Sequence, residues 1–261
     1  MCPTTRNRHD PVIVMTEARP VALVTGSTSG IGAAIARRLA ADGYAVILHS
    51  RRSVETGQAM ARALGAAAYV QADLADDAER VRLIRDALAV WGRLDLLVNN
   101  AGVSSVIPHD DLAAATPDVW REMHEINVIA PFRLVAEAEA ALREAASHGR
   151  AGCVVNVSSH AGVRPKGASI PYAAAKAALN HTTRLLARTL APAIRVNAVA
   201  PGLVDTPLTA DWTDAQQRWR ERAPMRRAAA PDDIAQTVAM LVASDYVTGE
   251  IVMLDGGMNL T

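Results

Sequence analysis

Val21-Ala22-Leu23-Val24-Thr25-Gly26-Ser27-Thr28-Ser29-Gly30-Ile31-Gly32 is the stretch that decides the fold. Four apolar residues run into a loop with three glycines, and a helical pattern follows over 31–41. A short continuous apolar run is the signature of a parallel strand covered on both faces. Glycines permit a tight turn and the close approach of a pyrophosphate. The next helix start offers free N–H groups and a positive dipole end to that anion. Gly26, Thr28, Ser29, Gly30, Ile31 and Gly32 therefore form a candidate phosphate cradle. Glycines also punctuate ordinary turns. Here a strand precedes and a helix follows, which is the context dinucleotide binding requires.

Outward from this stretch, apolar runs alternate with helical patterns. Strands are expected at 21–25, 45–48, 67–71, 94–98, 153–157, 194–199 and 251–254. Helices are expected at 31–41, 54–64, 77–91, 117–146, 172–190 and 232–242. Such repetition implies right-handed crossovers and a single α/β Rossmann-type, doubly wound domain: a seven-stranded parallel sheet flanked by helices. The longest irregular stretch is 202–230. Residues 1–18 read as a polar, flexible extension, with Met15 an alternative start to Met1, and 19–261 as the catalytic domain.

The chain has 261 residues, half of them hydrophobic, with 27 basic and 27 acidic side chains. The balance gives no electrostatic reason to expect nucleic acid or an anionic membrane surface. No apolar run approaches a membrane span, and the N-terminus lacks a signal-peptide core. The two cysteines, Cys2 and Cys153, fit a reducing cytoplasm. The seven histidines are scattered, and no metal-ligand spacing appears.

The run Ile170-Pro171-Tyr172-Ala173-Ala174-Ala175-Lys176 places a phenol and an ammonium at i, i+4 on one helix face, with Ser159 thirteen residues upstream. A free tyrosine has a pKa near 10, and a fixed cation beside it is expected to lower that value. Together with a serine hydroxyl, the pair can move a proton on and off an alcohol or carbonyl. The same spacing also occurs on ordinary solvated helices, so the other motifs decide between the readings.

Thr25-Gly26-x-x-x-Gly30-Ile31-Gly32, Asn99-Asn100-Ala101-Gly102, Asn127, Ser159, Tyr172-x-x-x-Lys176 and Pro201-Gly202 resemble the short-chain dehydrogenase/reductases, over about residues 19–261. The resemblance implies a catalytic tetrad. Tyr172 would be the general acid or base, and Lys176 would tune it and hold the nicotinamide ribose. Ser159 would bind the substrate oxygen, and Asn127 would support a water in a proton relay. Ser158 is then structural. It also implies that Asp73 and Leu74 meet the adenine, Asn100, Ala101 and Gly102 pass its ribose, and Pro201, Gly202, Val204 and Thr206 meet the nicotinamide. As a bare feature, Asp73 also reads as a helix cap.

Cofactor choice turns on Ser50-Arg51-Arg52 at the end of the second strand. NAD-using members carry an acidic residue there for the ribose 2′-hydroxyl. Ser50 takes roughly that place, and two guanidiniums suit a 2′-phosphate. NADP(H) is favoured, with NAD(H) the alternative. The expected activity is hydride transfer between NADP(H) and a small-molecule carbonyl or secondary alcohol, in the direction of reducing a ketone or 3-oxoacyl group. The pattern looks closest to 3-oxoacyl-acyl-carrier-protein reductase-like members. It departs from them after the catalytic helix, where Leu190-Ala191-Pro192-Ala193-Ile194 lacks a basic carrier-docking residue. The rival readings are an NAD-dependent secondary alcohol, sterol or sugar dehydrogenase, and a catalytically silent dinucleotide sensor. A substrate lid over 203–228 and a homotetramer complete what the resemblance implies.

Overall fold

The computed structural model describes residues 19–261; the expected extension at 1–18 and Cys2 lie outside them. One parallel seven-stranded sheet runs in the order β3-β2-β1-β4-β5-β6-β7. Its strands are β1 (Val21–Val24), β2 (Ala45–Ser50), β3 (Ala67–Gln71), β4 (Leu96–Asn99), β5 (Gly152–Val157), β6 (Ile194–Pro201) and β7 (Ile251–Leu254). The inner strands are buried along their whole length, as their apolar runs predict, while edge strands β3 and β7 are half-exposed. Helices α1 (Gly30–Ala41), α2 (Val54–Leu64) and α8 (Pro231–Ala243) cover one face. Helices α3 (Asp77–Trp91), α5 (Ala130–Glu144) and α6 (Ile170–Leu190) cover the other. Strand side chains alternate between the two cores: Val21 and Leu23 face one, Ala22 and Val24 the other.

The strand order reverses between β1 and β4, so the loops leaving their C-terminal ends diverge and open a crevice, where such folds bind ligands. The glycine loop, the Asn99–Gly102 segment, Ser158–Ser159 and Pro201–Gly202 all leave the sheet at this edge.

Two expectations need correction. The helix read over 117–146 is three pieces: α4 (Pro117–His124), a π-turn (Glu125–Ile129) and α5, which runs on into a 3₁₀ turn (Ala145–His148). Pro131 supplies the reason. Inside a regular helix its ring would clash with the carbonyl four residues back, that of Asn127, and a wider turn relieves such a clash. The stretch read as irregular over 202–230 contains helix α7 (Thr213–Arg222). It has no buried residue, so no apolar period marked it.

Candidate active site

The cradle forms because β1 and β4 are neighbours. Thr25 Oγ1 accepts the N–H groups of Asn100 and Ala101, each at 3.0 Å. Asn100 Nδ2 donates back to the carbonyls of Thr25 at 2.9 Å and Gly26 at 3.1 Å. Gly26 and Gly30 take the left-handed backbone at φ 62° and 50°, which glycine adopts without strain. At Gly32 the limit is space: a Cβ would stand 2.3 Å from Gly26 O and 2.4 Å from Asn100 Nδ2. Ser29 precedes α1 without a side-chain cap bond, which leaves first-turn N–H groups to an incoming anion.

His49 underpins this loop. Its Nδ1 accepts the Gly26 N–H at 3.1 Å, so Nε2 carries the proton and donates to Ala72 O at 3.1 Å. Burial lowers its pKa to about 4, against the carbonyl bond and Asp73, which act upward; the ring is neutral at physiological pH. Sequence reading missed this residue, because a buried histidine in an apolar strand has no spacing to mark it.

At the end of β2, Ser50 is buried, with its hydroxyl 2.8 Å from Tyr69 Oη and accepting the Ser53 N–H. Its side chain therefore serves the protein's own packing. Arg51 and Arg52 are exposed, and no acidic side chain among the described residues pairs with either guanidinium. Asp73 does not cap a helix: its Oδ1 accepts the Ala75 N–H, and the cap of α3 is Asp76.

The tetrad residues come together from three elements. Ser169, fully buried, caps α6 by accepting the Tyr172 N–H, which sets Tyr172 in the first turn and Lys176 one turn on. Lys176 is 4% exposed; its Nζ donates to Val157 O at 2.9 Å and lies 5.9 Å from the Tyr172 ring centroid. Asn127, fully buried in the π-turn, donates through Nδ2 to Val103 O and Met123 O, each at 3.0 Å. Its Oδ1 accepts the Val103 N–H at 3.3 Å. Gly102 makes the meeting possible, since a Cβ there would stand 2.8 Å from Asn127 Oδ1 and 3.5 Å from Lys176 Nζ. Ser158 turns its hydroxyl to Lys176 O, while Ser159 follows it into the cleft beside Tyr172.

The electrostatics differ from the expectation of a lowered phenol pKa. Burial pushes Tyr172 above its ordinary 10.0, and the hydrogen bond with Ser159 pulls the other way. Burial also lowers Lys176 to about 8. Both groups share a desolvated wall, and desolvation disfavours each charged form. Tyr172 is thereby held as a neutral phenol, able to give a proton.

Tyr172 and Ser159 face a cavity of about 1150 Å³. The glycine-loop residue Ile31, with Asn100, Gly102, Pro201, Gly202, Val204 and Thr206, lines one part. Leu208, Trp212, Trp219 and Met258 make another part apolar. Thr209 reaches back to Val204 O and Thr206 N and pins the loop. Trp219 of α7 lies against Gly202, where a Cβ would stand 2.7 Å from its ring, and meets His160 edge-on at 6.3 Å.

A family model described as enoyl-(acyl carrier protein) reductase matches residues 26–259. A protein assigned as ketoacyl reductase 2 of the granaticin polyketide synthase of Streptomyces violaceoruber is 50% identical over 244 residues, covering 92% of this chain and 96% of that one. The chain belongs to the short-chain dehydrogenase/reductase family. As a short-chain dehydrogenase/reductase it is an oxidoreductase that binds a nicotinamide dinucleotide. Among solved members, the 3-ketoacyl-(acyl-carrier-protein) reductase of Brucella melitensis, complexed with NADH, superposes with a TM-score of 0.84 at 31% identity. It covers 92% of this chain and 98% of its own. A blue fluorescent protein from a metagenomic library, in complex with NADPH, superposes at 0.83 with 36% identity, covering 92% and 97%.

The residues fit such a cofactor. The first turn of α1 has no side-chain cap bond, Gly32 lets that helix start pack directly on Gly26 and Asn100, and among the described residues no acidic side chain pairs with the guanidiniums beyond β2.

Proposed function

We propose that the protein reduces a ketone or 3-oxoacyl group with NADPH. The observation that carries the reading is geometric: Tyr172 and Ser159 stand together at the wall of a partly apolar cavity, with Lys176 Nζ 5.9 Å from the Tyr172 ring centroid. Bound NADPH supplies the hydride to the carbonyl carbon. Tyr172 gives its proton to the carbonyl oxygen, and Ser159 donates a hydrogen bond to that same oxygen. The Lys176 ammonium, held at Val157 O, offsets the charge left on the phenol oxygen. Asn127, at the neck of the same cleft, supports the water through which the proton is replaced.

The phosphate cradle comprises Gly26, Thr28, Ser29, Gly30, Ile31 and Gly32. Asp73 and Leu74 take the adenine, Asn100, Ala101 and Gly102 its ribose, and Pro201, Gly202, Val204 and Thr206 the nicotinamide. The fold does not choose the dinucleotide, since related structures hold NADH in one case and NADPH in another. Arg51 and Arg52, exposed and without an acidic partner among the described residues, favour the 2′-phosphate, with Ser50 as the small residue between strand and loop. The 50% identity to a protein named as a polyketide ketoacyl reductase favours a polyketide-like ketone. Half-exposed Phe132 on α5 and Leu185 on α6 support a homotetramer built through these helices. Buried Cys153 suits a reducing cytoplasm.

The test is a panel of 3-oxoacyl thioesters, aromatic and cyclic ketones and secondary alcohols, followed by near-ultraviolet absorbance of NADPH and NADH. Turnover of ketones with NADPH ahead of NADH is expected. Charge-assisted bonds are each worth about 1.5–3 kcal/mol, so Arg51→Ala with Arg52→Ala lowers kcat/KM for NADPH at least about tenfold and spares NADH. A preference for NADH overturns the cofactor choice. Tight NADPH binding without turnover across the panel favours the silent sensor.

A further inference from the structure

Arg80 stands among the largest fully buried side chains of the described residues, 2% exposed, in the company of leucines and isoleucines. It lies in the first turn of α3, whose other buried residues Leu83, Ile84 and Ala87 belong to an apolar core. Replacing a buried ion pair by packed apolar groups is often neutral or stabilising, so stability alone gives no reason for a guanidinium here.

Its contacts give another reason. Nε donates to Leu74 O at 2.7 Å, and Nη2 donates to the Glu125 carboxylate. Nη1 lies 3.5 Å from Asp77 Oδ1. Leu74 is in the loop after β3 that is read as the adenine site. Glu79, adjacent on α3, accepts the Asp73 N–H at 2.6 Å, so the start of α3 holds both residues of that loop. Glu125 opens the π-turn, two residues before Asn127. One planar, always-charged side chain therefore spans from the adenine loop to the turn that carries the catalytic amide, and guanidinium is the group whose fixed fork suits two acceptors at once.

We propose that Arg80 is a positioning residue, which through Leu74 O and Glu125 fixes the adenine loop and the Asn127 turn relative to each other. The proposal rests on the reading of Asn127 as part of the proton relay and of Asp73 and Leu74 as the adenine site. It predicts separable effects, because the Leu74 arm acts on cofactor binding and the Glu125 arm on the chemical step.

The experiment uses the full chain with Arg80→Met, Glu125→Gln, Asn127→Ala and the double variant Glu125→Gln with Asn127→Ala. The readouts are melting temperature, NADPH Kd by fluorescence, and the single-turnover rate of NADPH oxidation at saturating ketone. Displacing a reacting group by about 1 Å costs up to about 100-fold in rate, so losses of about tenfold are expected in both Arg80→Met and Glu125→Gln. Arg80→Met also weakens NADPH binding, about fivefold on the scale of one lost backbone bond. Glu125→Gln leaves NADPH binding unchanged. Glu125→Gln adds nothing to the loss in Asn127→Ala, because residues acting through one another are not additive. Glu125 is at the half-exposed end of the pair, so its variant carries the test even where Arg80→Met fails to fold. An Asn127→Ala enzyme slowed as expected, beside a Glu125→Gln enzyme of normal rate or a double variant whose losses multiply, overturns this proposal alone. An Asn127→Ala enzyme of normal rate overturns the reading of Asn127, and the proposal with it.

Discussion

Tyr172 and Lys176 lie one turn apart on a desolvated wall, and loss of water acts on them in opposite directions: the phenol pKa rises and the ammonium pKa falls to about 8. Tyr172→Phe keeps the ring and removes the acid, so kcat for ketone reduction falls by about 10²–10⁴. NADPH Kd, read by fluorescence titration, stays within about twofold, since one hydroxyl is a small part of the dinucleotide's contacts. A Tyr172→Phe enzyme of normal turnover refutes the assignment. The pH profile follows from Lys176. Below about 8 its ammonium is present; above that it is lost, while the Tyr172 phenol still keeps its proton. In the free enzyme, kcat/KM for reduction is therefore level from about pH 6 to 7.5 and falls through a limb near 8. A profile that stays level to pH 10 shows that the ammonium plays no part. The spacing of these two residues was legible in the sequence. Their pKa directions were not, because desolvation depends on β5 and the Ser159 turn closing over them.

At the scale of elements, the strand–loop–helix of the cradle was legible because its local chemistry and its tertiary role agree. Gly32 shows how tightly they agree. In Gly32→Ala the methyl meets Gly26 O and Asn100 Nδ2 at contact distances no real Cβ tolerates, and two of the nearest atoms are backbone. Overpacking of this kind costs about 1–3 kcal/mol, so thermal unfolding shifts downward, and NADPH affinity drops as the loop is displaced. A variant with unchanged melting temperature and NADPH Kd contradicts the packing described for the cradle. Helices α4 and α5 illustrate the opposite case. Apolar periodicity runs through 117–146 without a visible break, yet Pro131 sits four residues after Asn127 and the backbone widens between them. The proline was the available signal. Helix α7 had none, since its ten residues bury no side chain and it is held against the body through Trp219 on Gly202.

For the whole molecule, topology places chemistry at one edge. All seven strands are parallel, so the loops from β1, β4, β5 and β6 converge at their C-terminal ends. The far surface carries its own signal. Phe132, the chain's single phenylalanine, is 49% exposed on α5. Burial of an aromatic side chain between subunits contributes about 1.5–3 kcal/mol, and a charge placed there removes that and adds desolvation. On the proposed tetramer of 27.6 kDa chains, Phe132→Glu therefore shifts the mass read by light scattering toward smaller species. An unchanged mass overturns the proposal of a subunit contact through Phe132.

The sequence by itself determined the α/β order and the glycine loop, and it picked out Ser159, Tyr172 and Lys176, which the fold brings to one cleft. These rest on local rules: apolar runs, turn chemistry and the pitch of a helix. Only the tertiary structure decided that His49 supports the cradle, that Ser50 faces Tyr69, that Asn127 sits in a π-turn, and that Arg80 ties two loops together. The His49, Ser50 and Glu125 contacts join residues at least 19 positions apart, and the π-turn is a widening that Pro131 signals but does not by itself place against Val103. Local patterning carries no record of such a contact until the chain has closed on itself.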